Sequence, residues 1–161
     1  MALKLTLKPD ERIIVNGCAM RNSSRRHVLT IESKADVIRG QDLLDAEAVA
    51  TPVKRVYFLI QTALTRTDLR EDLLTPIQKQ LAVLATVFAG DNGAHIFEAA
   101  HFVSIGDFYK ALRALRPVMK REDEIFAALN APLHDDPTAQ PAPHAISGAL
   151  EQQAQPRQAR S

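Results

Sequence analysis

The apolar period of this chain changes once, and that change limits the folds open to it. Before residue 40, apolar residues recur at every second position or in short β-branched runs. After Thr51 they recur every three or four residues. The first spacing belongs to strands and the second to helices. The sequence therefore predicts an α+β protein. A small five-stranded antiparallel β-unit spans residues 1–45, a domain of four to five helices spans 51–129, and a disordered tail spans 130–161.

The stretch Leu3–Gly17 reads as two strands with a turn between them. Leu3, Leu5 and Leu7 alternate with Lys4, Thr6 and Lys8, the pattern of a strand buried on one face. Pro9-Asp10 breaks the run, because proline cannot donate to a ladder. Ile13-Ile14-Val15 resumes it, and Asn16-Gly17 predicts a tight type I′ hairpin turn, since both residues tolerate positive φ. Cys18–Arg21 is a third strand, His27–Ile31 a fourth and Val37–Arg39 a short fifth. Asn22–Arg26 and Ser33–Asp36 are polar turns. These five strands predict a meander or small barrel. So small a unit rarely buries enough surface to stand alone, so it must dimerise or pack on the remainder of the chain.

Gln41–Ala50 is an acidic connector with room for one helical turn. Thr51-Pro52 then combines an N-cap residue with proline at the first helical position. Val53, Val56, Tyr57, Ile60, Ala63 and Leu64 follow at helical spacing. A short helix is expected over 68–74, and Thr75-Pro76 repeats the cap device before another helix through Phe88. Gly90–Gly93 stops that helix. A fourth helix is expected over 94–103, and Ser104 to Asp107 loosely matches a capping box opening a fifth. That helix continues through Pro117 to Leu129. Beyond Asn130 the apolar period disappears, and five of the nine prolines fall there, hence the expected tail.

Net charge is +1 over 161 residues, so a nucleic-acid site has to come from local clustering. Residues 1–40 supply it: Lys4, Lys8, Arg12, Arg21, Arg25, Arg26, Lys34 and Arg39 face only Asp10, Glu11, Glu32 and Asp36. The helical region is nearly neutral. The single cysteine, Cys18, allows no internal disulfide and is expected as a small core residue. Neither a signal-peptide pattern nor a run of about 20 apolar residues is seen, so a cytoplasmic protein is expected. No phosphate-binding glycine loop and no metal-ligand spacing occurs; His95 and His101 fall on opposite sides of a helix. Nothing argues for an enzyme, a cofactor or a metal.

Two resemblances meet in the opening stretch. Leu3-x-Leu5-Thr6, Glu11, Ile13-x-Val15 and Gly17, with Val37-Ile38-Arg39-Gly40-Gln41-Asp42, resemble the carbon-storage-regulator (CsrA) family of RNA-binding proteins. The resemblance implies a five-stranded unit forming a homodimer and binding GGA-containing messenger leaders. Thr6 and Lys8 then fall in the first-strand RNA region, and Arg39 on the family's late arginine. Leu7 and Asp10 depart from that pattern, standing where the family has a basic residue and a glycine. The second resemblance is longer. LTLKPDERIIVNG, RRHVLTIE, ADVIRG, TPVKRVYFLIQTAL and FYKALRALRPVM together resemble the FlbT family of flagellin-translation repressors, over about residues 1–129. It implies a regulator that binds the 5′ untranslated leader of flagellin messenger RNA and lowers its translation and lifetime. It also implies a connection to FlaF, a flagellin regulator of opposite sense.

Lys8, Arg21, Arg25, Arg26 and Arg39 supply phosphate contacts and guanidinium planes that stack on unpaired bases. No aromatic residue precedes Tyr57, which excludes an aromatic stacking platform in the β-unit. The plain alternative is that these charges protect strand edges and keep the surface soluble. A second functional reading is a protein-binding adaptor. Its sequence support is Tyr57-Phe58-Leu59-Ile60, an apolar density covering more than one helix face.

Overall fold

The computed structural model describes residues 2–132. The tail expected over 130–161 lies, beyond residue 132, outside the described residues. The strands are β1 (Leu3–Leu7), β2 (Arg12–Val15), β3 (Cys18–Arg21), β4 (His27–Ile31) and β5 (Val37–Ile38). The helices are α1 (Pro52–Thr65), α2 (Arg70–Val87), α3 (Asp91–Ser104) and α4 (Phe108–Asn130). The α+β class expected from the period change is therefore observed.

The strands form two small antiparallel sheets, β1-β4 and β3-β2-β5, rather than a meander or barrel. The expected pairing of β1 with β2 does not occur: β1 pairs with β4, Leu5 opposite Leu29, and β2 sits between β3 and β5. The reason is stacking. Leu5 and Leu7 meet Ile13 face to face across the two sheets, with Leu29, Ile31, Val15 and Val37 around them. The Pro9-Asp10 turn, with Asp10 at φ 58°, carries the chain from one sheet to the other.

Strand β2 explains why Ile13-Ile14-Val15 is a continuous apolar run. Ile13 faces the β1-β4 sheet, whereas Ile14 and its cross-strand partner Ile38 join the helical core. A strand covered on both faces loses the alternation that β1 keeps. The Asn16-Gly17 turn is as expected, with φ of 47° and 80° and Val15 opposite Cys18. Cys18 is exposed, not core. All four β3 residues are exposed, because the two-stranded sheet is too narrow to cover β3.

The helical core gathers Val53, Tyr57, Ile60, Ile77, Leu81, Ile96, Phe108 and Leu112, all nearly solvent-free. Four helices form it, one fewer than the upper expectation. Helix α2 absorbs the expected 68–74 helix and runs through Pro76, which lies on the exposed face. There the carbonyl that proline leaves without a partner faces water. Pro117 is likewise exposed within α4. The break before α3 is at Gly90, φ 65°. Gly93 lies inside the first turn, where a Cβ would sit 3.0 Å from the Phe88 carbonyl oxygen. At α4 the cap is Asp107, whose Oδ1 accepts the Lys110 N–H at 3.1 Å. Ser104 instead donates to the His101 carbonyl.

The connector is held against α1 by side chains that a period reading does not reveal. Buried Gln61 accepts from Leu44 N–H at 3.0 Å and donates to Leu44 O at 2.9 Å. Tyr57 donates to the Asp42 carbonyl at 2.6 Å, and Arg116 meets the Asp42 carboxylate at 3.2 Å. Burial pushes the Tyr57 phenol above its ordinary pKa, against the opposing influence of Arg116. Thr51 is the N-cap of α1, yet its hydroxyl donates to Glu122 of α4 instead of bonding the backbone. The carboxylate of Glu122 accepts the orphan Val53 N–H at 3.0 Å.

Candidate nucleic-acid interface

The loop between β3 and β4 is built around Asn22. Its amide donates to Lys8 O at 2.7 Å and to Arg25 O at 2.8 Å, and its backbone N–H donates to Glu11 O at 2.8 Å. Asp10 N–H in turn donates to Ser23 O at 2.9 Å. The His27 ring lies 3.1 Å from both Asn22 Oδ1 and Arg25 O. A short polar loop thus becomes an ordered shelf against the end of β1. It carries Arg25 and Arg26, both exposed, beside Lys8.

The other expected residues lie around the same end. Thr6 is exposed on the outer face of β1, opposite Val28. Arg21 ends β3, directly opposite Arg12 of β2. Arg39, at the exit of β5, donates Nη2 to the Thr6 carbonyl at 3.0 Å. The fold thus brings the end of β1, the 22–26 loop and the exit of β5 together. The end of β1, the turn after it and the exit of β5 border a cleft of about 310 Å³ lined by Lys8, Asp10, Glu11, Arg12, Arg39 and Gln41.

The cations are not equivalent. Arg39 is locked to Glu11, Nε to Oε1 at 2.8 Å and Nη2 to Oε2 at 3.1 Å. The hydrogen bond from Arg39, and then the Lys8 N–H, hold the Glu11 carboxyl below the usual carboxylate range. Arg12 is paired with Asp45. Among the described residues Lys8, Arg21, Arg25 and Arg26 make no ion pair. Unneutralised cations on a fixed shelf are what a phosphate backbone requires. Sequence reasoning missed Asn22 as the organiser. Its only signal was an amide side chain opening a serine- and arginine-rich turn, where such residues bond local backbone.

No cluster of metal-ligating side chains occurs among the described residues. No helix of the described residues is long and apolar enough to cross a membrane. Fold and site together define a small α+β protein with a basic shelf on its β-unit. The family follows from comparison with known proteins. The family model described as "Flagellar protein FlbT" matches residues 3–126. The chain is 36% identical over 129 residues to the "Probable flagellum biosynthesis repressor protein FlbT" of Rhodopseudomonas palustris (strain TIE-1), covering 79% of this chain and 99% of that relative. It is 30% identical over 128 residues to the "Flagellum biosynthesis repressor protein FlbT" of Caulobacter vibrioides (strain ATCC 19089 / CIP 103742 / CB 15), covering 77% and 89%. The chain belongs to the FlbT family. No solved structure matches it.

Proposed function

We propose that this protein represses flagellum biosynthesis after transcription, by binding the 5′ untranslated leader of flagellin messenger RNA and lowering its translation and stability. The observation that carries this reading is the group of four unpaired cations, Lys8, Arg21, Arg25 and Arg26, around a loop ordered by Asn22. Single-stranded RNA is the matching ligand class, since guanidinium planes stack on splayed bases while cations meet phosphates. Arg39 contributes by holding the Thr6 backbone in place and by lining the cleft. The protein acts in the cytoplasm, where the message is.

A homodimer through the β-unit is part of this reading. Its support is the open outer edges of β3 and β4 and the exposure of Leu3, Met20 and Val28. Such edges invite pairing with another chain. A FlaF-type flagellin regulator is the protein partner that the family resemblance implies.

The test is binding of the purified protein to its own flagellin leader and to a scrambled RNA at physiological salt. Preference for the leader supports the reading. Equal weak binding to both excludes direct readout by this protein alone.

A further inference from the structure

Helix α1, whose apolar density suggested a protein-binding face, is core: Val53, Val56, Tyr57 and Ile60 are at most 1% exposed. The uncovered apolar surface lies elsewhere. Glu122 of α4 already reaches the first turn of α1, and α4 runs antiparallel to it. The last two turns of α4 therefore overhang the start of α1 by about 12 Å. Along this overhang Ile125, Phe126 and Leu129 are 38%, 43% and 74% exposed. Facing them at the end of α2 are Val83 and Val87, 62% and 71% exposed.

Between the two helix ends lies a trough of about 310 Å³, with Pro52 in its floor and Val83, Val87, Phe88, Ile125 and Phe126 in its walls. Past Pro52 and Val83 it continues into a second hollow of about 220 Å³ that ends at Arg55 and Gln80. On α2 the lining residues Gln80, Val83, Leu84 and Val87 keep i, i+3, i+4, i+7 spacing, so the trough follows one helix face for two turns. Grooves of this form take the apolar face of an amphipathic helix.

The rim charges say which helix. Exposed acids nearby are paired, Asp123 with Lys54 at 2.7 Å and Glu124 with Arg121 at 3.3 Å, whereas Glu122, also in the lining, is buried and accepts only from the neutral Thr51 hydroxyl and Val53 N–H. Arg55, exposed at the trough's end, makes no ion pair among the described residues. The unpaired charge exposed on the rim is therefore positive. A second copy of this chain would bring the same positive rim to it, and RNA would find apolar walls. We propose that the trough is the docking site for an amphipathic helix of another protein. That helix carries apolar side chains at i, i+3 or i+4 and i+7, and a carboxylate at the end lying over Arg55.

The full-length protein is titrated, by fluorescence anisotropy, with synthetic helical peptides of about four turns. Each has leucines at the stated spacing and a glutamate pair at one end or the other. Control peptides replace the glutamates by lysine, or the leucines by aspartate. A glutamate-ended peptide is expected to bind best. Val87→Asp and Phe126→Ser, both surface changes verified as folded by circular dichroism, should each weaken it about tenfold or more. Arg55→Glu should reverse the preference between glutamate- and lysine-ended peptides. Binding no better than the aspartate control, or binding unaffected by Val87→Asp, overturns the proposal. So does sedimentation that finds a dimer dispersed by Val87→Asp but not by peptide, which makes a second copy the occupant.

Discussion

Arg39 and Glu11, 28 positions apart, face each other in a two-point ion pair of 2.8 and 3.1 Å. The same carboxylate accepts the Lys8 N–H at 2.8 Å, and the same guanidinium donates to Thr6 O. One pair therefore ties the end of β1, the turn after it and the exit of β5. An arginine that its place in the sequence marks as a ligand contact is, in the fold, first a clamp. The cations on the Asn22 shelf, Arg25 and Arg26, make no such pair among the described residues.

That clamp predicts a stability that falls in acid. The Glu11 carboxyl lies below its ordinary pKa in the folded state, chiefly through the Arg39 hydrogen bond. A depressed folded pKa contributes stability above the unfolded value of about 4.3, and that contribution is lost as pH falls through the folded value. Urea midpoints should fall on acidification below about pH 4, and Glu11→Gln should flatten that dependence. Equal acid slopes in both proteins would assign the acid sensitivity to other carboxylates.

The shelf predicts a particular salt dependence. Each phosphate contact on a single strand contributes about −0.7 to the slope of log affinity against log salt. Arg25→Ala combined with Arg26→Ala should therefore reduce the slope by about 1.4 and weaken leader binding. Circular dichroism should be unchanged, since neither side chain makes an ion pair among the described residues. An unaltered slope removes the loop from the RNA path.

The cap on α1 is supplied from another helix. Glu122→Ala leaves the Val53 N–H and the Thr51 hydroxyl without their acceptor, at a cost of about 2 kcal/mol in chemical denaturation. Glu122→Gln, which keeps one acceptor oxygen, should cost less. Equal losses would mean that the charge, not the hydrogen bonds, is what α1 requires.

Gly17 and Gly90 both have positive φ, 80° and 65°, but differ in surroundings. A Cβ on Gly17 would lie 2.8 Å from the Leu64 carbonyl oxygen, while one on Gly90 meets nothing within 4 Å. Gly90→Ala should cost about 2 kcal/mol from backbone strain alone, since φ 65°, ψ −139° is a conformation that side-chain-bearing residues rarely adopt. Gly17→Ala should cost about 2 kcal/mol or more, because strain is joined by a clash with backbone. Urea denaturation of Gly17→Ala decides it, and a loss of only about 1 kcal/mol, the strain of a left-handed residue alone, would refute the close approach of the β2-β3 turn to α1.

Much of the local structure was legible. The alternation of Leu3, Leu5 and Leu7 marked β1, Asn16-Gly17 marked a two-residue turn, and Thr51-Pro52 marked the start of α1. Each is a short-range effect, in which a residue's own φ preference or its neighbours' spacing decides. The misread positions are those where a local preference met a tertiary demand. Thr75-Pro76 marked a helix start, yet Pro76 lies inside α2, where water takes up the freed carbonyl. Ser104 looked like a cap, but Asp107 is better placed to accept the Lys110 N–H.

The sequence by itself determined that the chain is strands followed by helices, that its basic excess sits in the strands, and, through long matching blocks, which family it belongs to. These are properties of period, composition and order along the chain. Only the tertiary structure decided that β1 pairs with β4 and stacks on β2, that Glu11 neutralises Arg39 while Arg25 and Arg26 make no ion pair among the described residues, and that Val83, Val87, Phe126 and Leu129 of α2 and α4 are left exposed. Those outcomes depend on which side chains meet across space. Stacking, ion pairing and the cover of one helix by another join residues far apart in sequence, so no local preference contains them.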